Sequence, residues 1–97
     1  MNTSKPAKVV PPYFQVTWDI PDASALQALA RGEATPDQQK RALDWFINRG
    51  AMTYEPTFHP GMPDASAFSE GRRFVGLQAV KLLHLNISQL RKALPND

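Results

Sequence analysis

The longest stretch without a proline, from Asp64 to Leu85, constrains the fold of this chain more than any other feature. Within it, Phe68, Val75 and Leu82 recur every seven residues. That spacing predicts one face of an α-helix of about five turns, roughly 28 Å long. Asp64 follows a proline and is expected to cap the free N–H groups of the first turn, with Ser66 as the competing cap.

Two glycines, Gly71 and Gly76, lie inside this helical segment. A glycine in a helix interior costs about 1 kcal/mol relative to alanine, so a compensating contact is expected. Close approach of a second backbone, here the helix predicted over Pro36–Arg49, would supply that contact. The sequence therefore predicts helix packing at both glycines, and a Gly71→Leu substitution is expected to destabilise the fold by overpacking.

Three further segments carry helix signals. Residues 23–31 form a weaker helix that stops at Gly32. Thr35, Pro36 and Gln38 combine a cap, a proline at the first helical position and a capping box, which predicts a helix to Arg49. Its apolar stripe is Ala42, Leu43, Phe46 and Ile47, with Trp45 beside it and with Lys40, Arg41 and Asp44 facing water. Asn86 caps a last short helix whose apolar residues are Ile87, Leu90 and Leu94.

The N-terminal residues follow a different pattern. Phe14, Val16, Trp18 and Ile20 alternate with polar residues, which is typical of a half-buried strand. Since helices offer a lone strand no backbone partner, these four side chains are predicted to anchor the segment on another protein chain. The alternative is that the segment packs across its own helices and Trp18 completes the core. Residues 1–20 are thus interpreted as an extended arm and 21–97 as one helical domain.

The expected fold is an all-α bundle of about four helices, two of them short, with an extended N-terminal arm. Ninety-seven residues suffice for one domain with a modest core. A formal net charge of +2 is too near balance to indicate nucleic acid, and the absence of cysteine excludes a disulfide framework or a Cys-ligated zinc. The sequence contains no run of 18 apolar residues, so it predicts no membrane span.

The sequence predicts no catalytic, metal or cofactor site. Neither histidine, His59 or His84, has a partner at metal-ligand spacing, and no nucleophile elbow or phosphate-cradling glycine loop occurs. The proline-rich connection over residues 51–63 is expected to dock through Tyr54 and Phe58, and the aromatic residues at helical spacing, Trp45, Phe46 and Phe68, are expected in the core.

Arg72 and Arg73, next to Glu70, form the sharpest charged cluster. Either they bind a partner, or they act within the chain. In the second case Glu70 pairs with Arg73, while an arginine holds an acid such as Glu55 or Asp64, or a carbonyl, of the connecting loop.

The sequence AFSEGRRFVGLQAVKLL, preceded by DWFINRGAMTY and the proline-rich loop, resembles a small family of structural proteins of tailed bacteriophages. The family pattern F-x-E-G-R-R-x-V-G is unusual inside a helix. The resemblance covers Pro36 to Leu85, about half of the chain, and excludes the N-terminal 35 residues. Matching positions are Ala67, Phe68, Glu70, Gly71, Arg72, Arg73, Val75, Gly76, Leu77, Val80 and Leu83.

This resemblance implies a non-enzymatic virion component, associated with the portal, tail or internal core, that is made in the host cytoplasm. Its expected partners are other virion proteins and further copies of itself in a symmetric assembly. Two alternatives stay open: a small phage-encoded regulator that binds a host protein or DNA, and a DNA-packaging accessory protein.

Overall fold

A computed structural model describes residues 15–94 of the chain. They form four α-helices, α1 (Ile20–Ala30), α2 (Pro36–Asp44), α3 (Pro63–His84) and α4 (Ile87–Ala93), and a π-helical turn, Trp45–Gly50, that continues α2. No strand occurs among the described residues. The predicted all-α class with two long and two short helical segments is confirmed, and the helix predicted at residues 23–31 begins three residues earlier, at Ile20.

Local signals explain where the first two helices begin and end. The backbone N–H of Asp19 donates to the Asp22 carboxylate at 2.8 Å, which closes the first turn of α1. Gly32 then adopts a left-handed conformation (φ 73°), which only glycine tolerates readily, and ends the helix. At α2 the predicted capping box is present: Thr35 N–H donates to Gln38 Oε1 at 2.9 Å, and Gln38 N–H donates to Thr35 Oγ1 at 3.1 Å.

The π-helical turn links α2 to the connecting loop. The Ala51 N–H donates to the Phe46 carbonyl at 2.8 Å, a span of five residues. Thr53, which is fully buried, then uses its N–H at 3.1 Å and its Oγ1 at 2.6 Å to donate twice to the Ile47 carbonyl. Sequence patterns predicted an uninterrupted helix to Arg49; the wider turn was not anticipated.

The long helix α3 begins one residue before its predicted cap. Pro63 occupies the first turn, where its missing N–H costs nothing, and the preceding cap residue, Met62, makes no side-chain cap bond. Asp64 is therefore an acidic residue of the first turn, not the cap. The helix ends at His84, and Leu85 and Asn86 have extended backbone before α4. The predicted Asn86 cap is confirmed, since its Oδ1 accepts from Gln89 N–H at 3.0 Å.

The buried interior of the described chain is small and is made mostly of small side chains. α1 packs on α2, and the π-helical turn packs on α3. The buried apolar residues are Ala25, Ala28, Ala42, Ile47, Ala51 and Ala65. Ile47 is the one large aliphatic side chain among them, so this interior excludes little apolar surface from water.

The segment before α1 differs from its prediction. Gln15 to Asp19 form neither helix nor strand, and Ile20 is the first residue of α1. Phe14 lies outside the described residues. The alternating pattern indicated a strand because it measures side-chain periodicity only, and a strand also needs a backbone partner.

Candidate interaction surface

Two apolar grooves lie side by side on the protein surface and share Phe46. The first, of about 430 Å³, runs between α1 and α2. The second, of about 350 Å³, lies between the π-helical turn and α3. The first is lined by Leu26, Leu29, Gln39, Ala42, Leu43 and Phe46, and the second by Trp45, Phe46, Gly50, Ala51, Arg72 and Val75. Because Phe46 lines both, the two grooves adjoin and together extend over α1, α2, the π-helical turn and α3.

The heptad face of α3 extends this apolar surface. Phe68, Val75 and Leu82 are 41%, 52% and 66% exposed, respectively. The prediction that Phe68 belongs to the core is wrong, while Trp45 and Phe46 are half-buried. Heptad spacing identifies the apolar side of a helix, but it does not say whether the same chain covers that side. An exposed apolar face of this kind is typical of protein interaction sites.

Polar contacts, not aromatic packing, hold the connecting loop on α3. Thr57 Oγ1 donates to the Glu70 carboxylate, and the His59 N–H donates to Ser66 Oγ at 2.8 Å. Tyr54 and Phe58, predicted to dock the loop, are 63% and 75% exposed. The loop therefore presents its two aromatic side chains outward.

The two adjacent arginines of α3 have different roles. Arg73 Nε donates to the Thr53 carbonyl at 2.9 Å, so it holds the loop through the backbone rather than through a carboxylate. Glu70 accepts from Thr57, and no Glu70–Arg73 ion pair occurs in the described part of the chain. The Arg72 guanidinium lies 5.1 Å from the centre of the Phe68 ring, a cation–π contact at the edge of the second groove.

The two glycines of α3 also differ in the space around them. A Cβ built on Gly76 would lie 1.9 Å from Thr53 Oγ1 and 2.8 Å from Ala51 Cβ, so no side chain fits there. The partner is the segment after the π-helical turn, rather than the helix expected to meet it. A Cβ on Gly71 meets nothing within 4 Å, so the expectation of packing at Gly71 is not met.

A buried carboxylate organises the first two helices, and sequence reasoning missed it. Asp22, in α1, is 4% exposed. Its oxygens accept from Arg41 Nε at 2.8 Å and from an Arg49 guanidinium N–H at 3.2 Å. Arg41 was expected to face water; its side chain is 44% exposed, and in addition it binds Asp22. The hydrogen bond from the Asp19 N–H, and then the two arginines, hold the pKa of Asp22 below its ordinary value, against the opposing effect of burial.

The predicted arm residues that the structure describes lie at the surface. Trp18 is 60% exposed and Ile20 is 75% exposed, while Val16 is half-buried. Trp18 therefore does not complete the core. Trp45 Nε1 donates to the Thr17 carbonyl at 3.0 Å and fixes the backbone beside Trp18 to the π-helical turn.

One histidine–serine pair has the form of a catalytic dyad. His59 Nε2 lies 2.9 Å from Ser69 Oγ, but Ser69 is only 2% exposed, so a substrate could not reach its hydroxyl. The pair instead holds the loop on α3. Among residues 15–94 no cluster of metal-ligating side chains occurs, and no helix has the length and hydropathy needed to cross a membrane.

Comparison with known proteins assigns no family or function to this surface. No family model, curated protein or solved structure matches the chain.

Proposed function

We propose that this chain is a non-enzymatic structural protein that works by binding other proteins. The observation that carries the proposal is the contrast between its small, alanine-rich interior and the continuous apolar surface of the two grooves and α3. Burial of large apolar side chains is the main favourable term in folding and in association. A chain that leaves so many of them in water gains most by association.

We further propose that the assembly is the virion of a tailed bacteriophage, with the chain at the portal, tail or internal core. Support for this step comes from the resemblance of Phe68 to Gly76 to the F-x-E-G-R-R-x-V-G pattern. Several residues of that pattern make structural contacts in this chain. Glu70 and Arg73 bind the connecting loop, and the absence of a side chain at Gly76 allows Thr53 to pack against α3. The pattern thus describes how the loop and α3 are joined.

Mass spectrometry of purified particles tests the virion role. Stoichiometric copies of the chain in particles of the phage that encodes it are expected. Its absence from particles, with abundant chain in infected cells, would contradict the proposal and favour a regulator of a host protein.

A DNA-binding role predicts a different measurement. Affinity for DNA should then fall steeply with salt and depend on Lys40, Arg41, Arg72 and Arg73. Three of these four already have partners within the chain, since Arg41 binds Asp22, Arg72 contacts the Phe68 ring and Arg73 binds Thr53, which weakens that alternative.

The N-terminal arm, together with Ile20 at the start of α1, is proposed as a clasp on a neighbouring virion protein, with Phe14, Val16, Trp18 and Ile20 as the anchoring side chains. Full-length Trp18→Ser should keep the melting temperature, because Trp18 is largely exposed, but lower incorporation into particles. Tyr54→Ser, which removes an equally exposed aromatic outside the arm, is the matched control. Unchanged incorporation of the Trp18 variant would contradict the clasp.

A further inference from the structure

Helix α4 has an apolar stripe that no other part of residues 15–94 buries. Ile87 and Leu90 lie on one face of α4, Leu94 follows as the residue directly after the helix, and every residue of α4 is exposed. The helix has seven residues, whereas isolated helices shorter than about 12 residues are marginal in water. The stripe therefore requires a partner surface if the helix is to persist.

The groove between α1 and α2 has the matching character. Five of its six lining residues are apolar, and Leu29 and Leu43 are 48% and 40% exposed. A groove between two helices is a common receptor for the apolar face of a third helix. Both halves of a helix-in-groove contact are thus present on every copy of the chain.

Charge determines which surface of a second copy α4 prefers. Residues 74–94 contain Lys81, Arg91 and Lys92 and no acidic residue. Residues 19–49, which include α1, α2 and the π-helical turn, contain five acidic and four basic side chains, and two of the acids, Asp37 and Asp44, form no ion pair within the described residues. Pairing α4 with the α4 of another copy would bring like charges together, whereas placing it on α1 and α2 brings opposite charges together.

We propose that α4 of one copy binds in the α1–α2 groove of a second copy. This inference rests on the proposed role in protein association, but it is tested on the purified full-length chain without particles. If the purified chain does not self-associate, its role in the virion is still tested separately, by its incorporation into particles. A contact between two different surfaces forms either a closed ring or an open chain of copies, depending on the rotation between neighbours.

Sedimentation velocity of full-length variants tests the contact. Leu90→Glu disables the stripe and leaves the groove, and Leu43→Glu disables the groove and leaves the stripe. Loss of one buried leucine should weaken association on the order of tenfold or more. Gln89→Glu adds the same charge to the neighbouring α4 residue, on the side away from the stripe, and should associate like the wild type.

A mixing experiment distinguishes this contact from its competitors. Leu90→Glu and Leu43→Glu should each be monomeric alone, and should associate when mixed, because the first supplies an intact groove and the second an intact α4. Association of Leu43→Glu by itself would overturn the proposal in favour of α4–α4 pairing. A monomeric wild type, or a mixture that stays monomeric, would also overturn it.

Discussion

The segment from α1 to the π-helical turn and the segment from mid-α3 to α4 use helices in opposite ways. The first buries alanines between its helices and fixes their geometry through Asp22, Arg41 and Arg49. The second carries larger aliphatic residues, yet it leaves most of them exposed. Apolar content therefore does not identify the self-sufficient part of this chain, whereas long-range polar contacts and close backbone approach do.

A substitution at the junction of the two segments should change the free energy of unfolding most. Gly76→Ala forces a Cβ against Thr53 and is expected to destabilise the fold by about 1–3 kcal/mol through overpacking. Gly71→Ala is the matched control on the same helix, where the space is open; it should stabilise the fold by up to about 1 kcal/mol through helix propensity. Chemical denaturation of both variants measures the difference. Equal effects at the two glycines would show that α3 does not pack against Thr53 at Gly76.

Loss of the buried Asp22 carboxylate should have the second-largest effect on stability. Asp22→Asn keeps the shape of the side chain but removes the charge that Arg41 and Arg49 face, so the melting temperature at neutral pH should fall. Glu55→Gln, in an exposed part of the loop, should leave it unchanged. A melting temperature of Asp22→Asn equal to that of the wild type would contradict the role of Asp22 as the centre of the first segment.

The same carboxylate predicts a pH dependence with a definite sign. Because the pKa of Asp22 is lower in the folded chain than its ordinary value near 3.9, its stabilising contribution is complete above that value. The contribution is lost as pH falls further, through the lowered pKa. Thermal melting below about pH 4 should thus converge for the wild type and Asp22→Asn. A difference that persists unchanged at the lowest pH would show that the charge of Asp22 is not what stabilises the fold.

The capping box of α2 should give a smaller effect. Thr35→Ala removes the acceptor for Gln38 N–H and is expected to cost about 1 kcal/mol. Ser24→Ala, at an exposed position inside α1, removes a hydroxyl without a cap and serves as control. If both variants melt alike, the cap does not contribute to stability.

What the sequence could predict was local. Thr35, Asn86 and Gly32 act within a few residues of themselves, and each does what its pattern indicated. Asp22 meets Arg41 and Arg49 across 19 and 27 residues, a separation over which no short pattern carries information.

The candidate surface was only partly predictable for the same reason. Gly71 and Gly76 look equivalent in the sequence, and only the position of Thr53 separates them. The heptad of Phe68, Val75 and Leu82 identified a helix but not its exposure, which depends on what the rest of the chain covers.

Hydrogen exchange followed over a range of protein concentrations tests the contrast between the two segments most directly. In dilute solution the amides of α1 and α2 should be protected and those of α4 should exchange almost freely, and protection of α4 should appear as concentration rises. Protection of α4 in dilute solution equal to that of α1 and α2, unchanged by concentration, would contradict the claim that the C-terminal part needs a partner.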